Sequence, residues 1–363
     1  MAEAERAAVL RQEWEPATLL RSELLPRAEA IEVLRRFAAE QRPSRDLRQM
    51  RARLLVAEKR YPEARREFVE ILAATPDDVE TLYALGVLSY QANEPREAER
   101  HLRRLLELDF AEVNSVRLYL GQLAEDDKRC DEALRWYDQV APGEQYSSAQ
   151  LRHAYVIARQ GGLDAALRYL QVARAGQGAD TVRLLIGEAQ LLREAGSTSD
   201  ALAVLDEGLL ALPDQPELLY ESALLAERLG RTEAFESRLR RLVQIRPEHA
   251  HAYNALGYSL AERNVRLDEA QQLVDKALAL APNDPFILDS KGWVQFRRGE
   301  TAAALDSLQR AFGIRSDPEI AAHLGEVLWV LGRKGEAQQT WAEAARAHPD
   351  NEALAATIKR FKP

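Results

Sequence analysis

Few residues in this chain are of types that do chemistry, and none has the spacing that chemistry needs. The six histidines are His101, His153, His249, His251, His323 and His348. A catalytic zinc site wants two histidines one helical turn apart with a glutamate between them, as in H-E-x-x-H. No pair here meets that spacing. His249 and His251 stand two residues apart at a predicted helix start, so their side chains diverge. Cys130 is the single cysteine, which excludes an intramolecular disulfide and a C-x-x-C metal pair. There is no G-x-S-x-G, no P-loop, and no G-x-G-x-x-G after a strand. "GGLDAAL" at 161–167 reads as a hairpin turn, and acidic pairs such as Asp126/Asp127 read as solubilising turn residues. The expectation is no catalytic, metal or cofactor residue, no small-molecule substrate, and therefore no enzyme.

The elements that carry these residues are helices. Apolar residues make up 46% of the 363 and charged residues 29%, a folded rather than a disordered balance. Ala, Leu, Glu and Arg abound while β-branched residues and glycine are scarce, which favours helix. No apolar run reaches the roughly 18 residues of a membrane span. The opening "MAEAERAAVLRQEWEP" is charged and amphipathic, unlike a signal peptide. The net charge of −9 argues against nucleic acid as main partner. The charge is uneven: Arg35 to Phe68 holds 11 Arg/Lys against 5 Asp/Glu, a net of +6, leaving −15 elsewhere. Such a stretch is either a solvated helix face or an anion- or partner-binding patch.

A small residue recurs along the chain at Ala30, Ala64, Ala98, Ala133, Ala166, Ala201, Ala270, Ala304 and Ala337. Phe235 holds the slot between Ala201 and Ala270, and the successive steps are 34, 34, 35, 33, 35, 34, 35, 34 and 33. In phase with it runs a glycine, at Gly86, Gly121, Gly257, Gly292 and Gly325, replaced by Ala52, Ala154, Ala189 and Ala223 in other periods. Four residues after each small residue comes a larger one: Phe68, Leu102, Tyr137, Leu170, Leu205, Leu239, Val274, Leu308 and Trp341. Four residues is one helical turn, so small and large share a face. Gly or Ala at a helix crossing lets the partner helix approach, and the large residue fills the flanking gap. Pro76, Pro213, Pro247, Pro282 and Pro349 stop the second helix of their periods.

A 34-residue helix–turn–helix unit with this order of Gly/Ala, Ala, aromatic/Leu, Ala and Pro resembles the tetratricopeptide repeat, over nearly the whole chain. The resemblance implies an all-α right-handed superhelix, an α-solenoid, of about ten hairpins. Units fall at 45–78, 79–112, 114–146, 147–180, 182–215, 216–249, 250–284, 285–317 and 318–351. Residues 1–44 form a degenerate N-terminal repeat, with Trp14 in the aromatic slot, and 352–363 a solvating cap helix. "AEAERAAVLR" looks like the end of another second helix, which predicts that the natural protein begins upstream.

In that family the first helices line the inner groove at unit positions 2, 5, 6, 9, 12 and 13. Transferred to this chain, these positions hold Tyr83, Tyr90, Tyr119, Tyr155, Tyr220, Tyr258, Trp293, Phe296 and Trp329. Arg152, Arg159, Arg183, Arg228, Arg297 and Asn254 stand at them too, beside Arg53, Arg193, Gln122 and Gln190. Aromatic and arginine side chains are what binding hot spots use, and the packing slots are already filled by other residues. Trp293, Phe296 and Trp329 are expected to cluster on one inner wall. The Lys and Asn set with which one subclass clamps a chaperone's C-terminal carboxylate is not visible.

The stretches "NALGYSLAERN", "DEAQQLVDKALALAPNDPFILDSKGWVQFRRGETAAALDSLQRAF" and "DPEIAAHLGEVLWVLGRKGEAQQTW" resemble the C-terminal block of proteobacterial outer-membrane lipoproteins built of such repeats. That group includes the LbcA-type adaptor of a periplasmic carboxyl-terminal processing protease. The resemblance implies a non-catalytic adaptor that holds the protease and its cell-wall hydrolase substrates. It implies a periplasmic protein whose lipid anchor lies outside this chain. The other function the residues allow is a cytoplasmic co-chaperone or assembly factor.

Overall fold

The computed structural model of the chain describes residues 15–175 and 180–361. Among them every regular element is a helix. The first two are α1 (15–24) and α2 (Arg27–Glu40). Hairpins follow: α3 (Arg45–Ala57) with α4 (Tyr61–Ala74), α5 (Val79–Gln91) with α6 (Pro95–Leu106), α7 (Val113–Asp126) with α8 (Cys130–Asp138), and α9 (Tyr146–Arg159) with α10 (Leu163–Arg174). Next come α11 (Asp180–Glu194) and α12 (Thr198–Ala211), α13 (Pro216–Arg228) and α14 (Thr232–Ile245), and α15 (Ala250–Glu262) and α16 (Leu267–Leu280). The last hairpins are α17 (Pro285–Arg297) with α18 (Thr301–Ile314) and α19 (Pro318–Val330) with α20 (Lys334–Ala347), before α21 (Glu352–Phe361). Trp14 lies outside the described residues. The chain divides into two compact units, Met1–Leu184 and Leu185–Pro363.

The repeated small residues sit where the hairpins cross. Ala30, Ala64, Ala98, Ala133, Ala166, Ala201, Ala270, Ala304 and Ala337 are all 0% exposed. The glycines face the large residue of their own hairpin. A Cβ on Gly86 would stand 2.8 Å from Leu102, on Gly257 2.7 Å from Val274, and on Gly292 2.6 Å from Leu308. On Gly121 and Gly325 it would overlap Tyr137 and Trp341. Each glycine is therefore the socket for one large side chain, in addition to letting the backbones approach.

Helix ends repeat as well. The turn between first and second helix holds a residue with positive φ at the same place in each hairpin: Lys59, Asn93, Lys128, Gly161, Gly196, Gly230, Asn264, Gly299 and Gly332, with Arg266 a second one in the α15–α16 turn. The next residue's N–H reaches back five residues in the chain, as in Glu94 N to Ser89 O at 2.9 Å and Arg333 N to Leu328 O at 2.9 Å. This satisfies carbonyls that the helix end would orphan. At the other end, Ser44, Asp78, Asp284 and Asp317 cap first helices by accepting from backbone N–H groups.

Within each unit the first helices pack on one another, α5 on α7 and α7 on α9 in the first, α15 on α17 and α17 on α19 in the second. Second helices pack on the first helices beside them and show no comparable packing with each other. Elements that touch on one side and spread on the other curve toward the touching side. The inner face of each unit is therefore made of first helices.

Candidate protein-binding site

In the first unit Tyr83 and Tyr90 on α5 and Tyr119 on α7 form a ladder of half-buried rings. Tyr83 lies 6.4 Å and Tyr90 5.7 Å from Tyr119, both edge-on, and Phe110 adds a fourth ring 5.4 Å from Tyr83. Burial raises the pKa of all three phenols. The Tyr90 hydroxyl donates to Asp126 at 3.1 Å. Arg152 donates to Glu125 at 3.2 Å, Arg159 pairs with the same carboxylate, and the Tyr137 hydroxyl donates to it at 2.6 Å. Burial alone would raise the pKa of Glu125. The Tyr137 hydroxyl and the two guanidiniums overcome that and hold it below the usual range. Glu125 thus fixes two arginines on the inner face and spends part of their charge. Tyr155 is half-buried beside them, and Arg183 donates to the Ser147 hydroxyl at 2.9 Å.

Much of the basic stretch from Arg35 to Phe68 is paired within the chain. Arg45 meets Asp78 at 2.5 Å, Arg48 and Arg51 meet Glu67 at 3.0 and 2.8 Å, Arg53 meets Glu80 at 3.0 Å, and Arg65 meets Glu94 at 2.5 Å. These pairs take up charge that an anion- or partner-binding patch there would need. The pairs of Arg45, Arg53 and Arg65 belong to a pattern in which a charge on one hairpin answers a charge on the next, as Arg103–Glu132 and Arg240–Glu269 do.

In the second unit the inner row runs through Tyr220 and Arg228 on α13, Asn254 and Tyr258 on α15, Trp293, Phe296 and Arg297 on α17, and Trp329 on α19. Tyr220 lies 5.1 Å from His249, whose Nδ1 accepts from Ala252 N, so this histidine is a helix cap. Arg228 is exposed. Tyr258 is half-buried. Burial, and then the carboxylates of Glu262, Asp289, Glu319 and Glu227, raise the pKa of its phenol. Trp293 corrects the expectation of an exposed ring: it is 4% exposed, and its indole N–H donates to Glu262. The three rings expected on one wall fall into two groups. Phe296 lies 5.4 Å from Trp293, whereas Trp329 stacks 5.9 Å from Trp341 and lies tilted 5.8 Å from Phe361 of α21. Arg297 lies over the Trp293 ring at 5.8 Å instead of projecting away.

The sequence reading missed a buried ion pair at this place. His323 Nδ1 lies 2.9 and 3.0 Å from the two oxygens of Asp289, and its ring stacks on Trp293 at 4.3 Å. Burial alone would lower the imidazole pKa, but Asp289, with Glu262 and Glu326 nearby, leaves it raised. The signal was present as charged residues at the inner positions, which a search for aromatic and arginine side chains passes over.

Comparison with known proteins agrees with this geometry. Two family models described as tetratricopeptide repeat match residues 55–117, and 186–247, 233–285 and 290–354. The chain belongs to the tetratricopeptide-repeat proteins. It is 40% identical over 214 residues to the TPR repeat-containing protein PA4667 of Pseudomonas aeruginosa, a match covering 59% of this chain and 36% of that protein. A 102-residue stretch is 38% identical to the protein O-mannosyl-transferase Tmtc1 of Drosophila melanogaster, covering 26% of this chain and 12% of that one. The chain thus spans about a third or less of the length of these relatives. A tetratricopeptide-repeat protein from Parabacteroides merdae superimposes with a TM-score of 0.51 at 18% identity, covering 69% of this chain and 98% of that one. Repeats of this kind make the chain a protein-interaction scaffold. Among the described residues no helix is long and apolar enough to cross a membrane, and no three His, Cys, Asp or Glu side chains come together as a metal site.

Proposed function

We propose that the chain is the repeat scaffold of an adaptor that delivers protein substrates, cell-wall hydrolases, to a periplasmic carboxyl-terminal processing protease. The observation that carries the scaffold part is the row of rings left partly exposed on the inner face of the first helices. The crossing slots are filled by Ala, Gly and one large residue per hairpin. Tyr83, Tyr90, Tyr119, Tyr220 and Phe296 nonetheless stand half-buried on the first helices. Half-buried rings on a face that no other element covers are contact residues in waiting. The adaptor part rests on the resemblance of the C-terminal block to outer-membrane repeat lipoproteins; on this reading the full-length protein works in the periplasm, held by a lipid anchor.

The test is capture of partners by the full-length protein followed by mass spectrometry, together with a turnover assay. The expected result is recovery of a carboxyl-terminal processing protease and its substrates, and faster cleavage of those substrates when the chain is present. Cleavage of peptide or cell wall by the isolated chain, or capture of chaperones and no protease, overturns the reading.

A further inference from the structure

The inner positions of the second unit carry a charge that those of the first do not. α13 brings Glu217, Glu221 and Glu227, and α15 brings Glu262. α17 and α19 add Asp289, Glu319 and Glu326. At these positions of the four helices only Arg228 and Arg297 oppose the seven carboxylates, a net of −5 with imidazoles neutral, and Arg193 and Glu194 of α11 cancel. The same positions of α3, α5, α7 and α9 hold Asp46, Glu80, Glu125 and Asp126 against Arg53, Arg152 and Arg159, a net of −1.

The acids of the second unit differ in how they are answered. Asp289 is met by His323, and Glu326 by Arg360 from α21. Glu262 has the Trp293 indole N–H, and Glu227 has the Ser259 hydroxyl. Neither forms an ion pair among the described residues. Burial raises the pKa of Glu227, helped by repulsion from Glu262, against the Ser259 hydroxyl and the nearby Arg263 guanidinium. Tyr220 stands beside Glu221 and Glu227, and Tyr258 among Glu262, Asp289, Glu319 and Glu227. A separate observation on the same helix is Asn254 Oδ1, sealed from solvent and without a hydrogen-bond donor among the described residues. At one end of this face a cavity of about 420 Å³ is lined by Glu217, Tyr220, Glu221, Glu248 and His249, with Arg246 in ion pair with Glu248.

Carboxylates outside any ion pair, aromatic rings beside them and an unfilled acceptor ask for one kind of ligand. Lysine and arginine side chains offer charge to the carboxylate, N–H donors to the acceptor and a cation to the ring face. We propose that the inner face of the second unit binds a lysine- or arginine-bearing segment of a protein partner, with Glu227 and Glu262 taking the cations and Tyr220 and Tyr258 the side-chain stems. This rests on the scaffold reading and adds the chemistry of what is held. An anionic segment would meet like charge, which costs several kcal/mol across an interface.

Three labelled peptides test it, sharing their apolar residues and carrying lysine and arginine, glutamine, or glutamate at the remaining positions. Fluorescence anisotropy with the full chain is expected to show the cationic peptide binding about tenfold or more tightly than the glutamine peptide, with affinity falling as salt is added. Glu227→Gln with Glu262→Gln is expected to weaken the cationic peptide about tenfold. Asp46→Asn, on the first unit, is expected to leave it unchanged. Should the double variant unfold, Glu221→Gln with Glu319→Gln, both outside the core, serves the same purpose. Equal binding of the three peptides, preference for the glutamate peptide, or binding indifferent to both double variants overturns the proposal. So does self-association of the chain through this face in sedimentation velocity. Loss of charge preference with partner capture intact removes the cationic reading alone; failure of every peptide and of capture removes the scaffold as well.

Discussion

Tyr119 and Trp293 occupy corresponding faces of first helices, one in each unit, and do different work. Tyr119 is half-buried between two other tyrosines, and the charges beside that ladder neutralise one another through Glu125. Trp293 is core, and what lines the face beside it is carboxylate. The two units solve the same crossing problem with the same small and large residues. The remaining inner positions are not fixed by the crossing itself, and there the units diverge. The lesson is that a repeat conserves its joints and leaves its inner face free to be specialised unit by unit.

The largest effect that separates the two faces is expected from truncating their rings. Trp293→Ala should cost ~3–5 kcal/mol of stability, as for a buried aromatic. Tyr119→Ala, from a half-buried position, should cost distinctly less. Urea denaturation of both variants checks this, and equal costs would remove the distinction between core and contact ring. Gly292→Leu is expected to cost ~1–3 kcal/mol or more by pressing on Leu308. Its damage should stay in the second unit. Amide exchange that rose evenly over residues 45–180 in this variant would contradict the repeat model.

The two ion clusters should answer pH in opposite directions. The folded-state pKa of His323 is raised, so its contribution is complete below the unfolded value near 6.5 and is lost as pH rises through the folded value. That of Glu125 is lowered, so its contribution is present above about 4.5 and is lost as pH falls through the folded value. His323→Gln should therefore flatten the loss of stability above neutrality, and Glu125→Gln the loss in acid. Melting temperature across pH for both variants checks the pair. The same slope in each variant as in the parent would show that these groups do not set it. Glu125→Gln should also cost ~1–3 kcal/mol near neutral pH by weakening charged hydrogen bonds.

The smallest effect concerns a turn. Lys128 has a φ of 60°, where a side chain is strained and glycine is not. Lys128→Gly is expected to raise stability by ~1 kcal/mol or less, whereas Gly161→Lys at the next turn should lower it. Both follow from thermal unfolding, and a destabilised Lys128→Gly would mean that the lysine side chain holds the turn.

The joints were legible in the sequence. The period of Ala30, Ala64, Ala98 and their successors, and the large residue one turn later, already stated which residues meet. Steric fit at a crossing involves residues within one hairpin, so it recurs in the chain as a pattern of types. The turn residues from Lys59 to Gly332 were equally periodic and went unread, because only the glycines and asparagines among them advertise positive φ. The inner row was legible as a set of positions but not as a set of environments. Arg152 and Arg159 read as free guanidiniums and are held by Glu125. Trp293 and Trp329 read as one wall; one lies in the core and the other packs on α21.

The sequence by itself therefore determined the all-helical fold class, the hairpin joints and the helix ends, because each depends on contacts inside about 34 residues that every repeat must make again. The tertiary structure alone decided which inner residues are spent and which remain for a partner. Those outcomes depend on pairs that join one hairpin to the next, Arg65 to Glu94, Glu125 to Arg159, Asp289 to His323. They turn on the rotation of neighbouring helices by a fraction of a turn, and no pattern of residue types within a single repeat encodes that rotation.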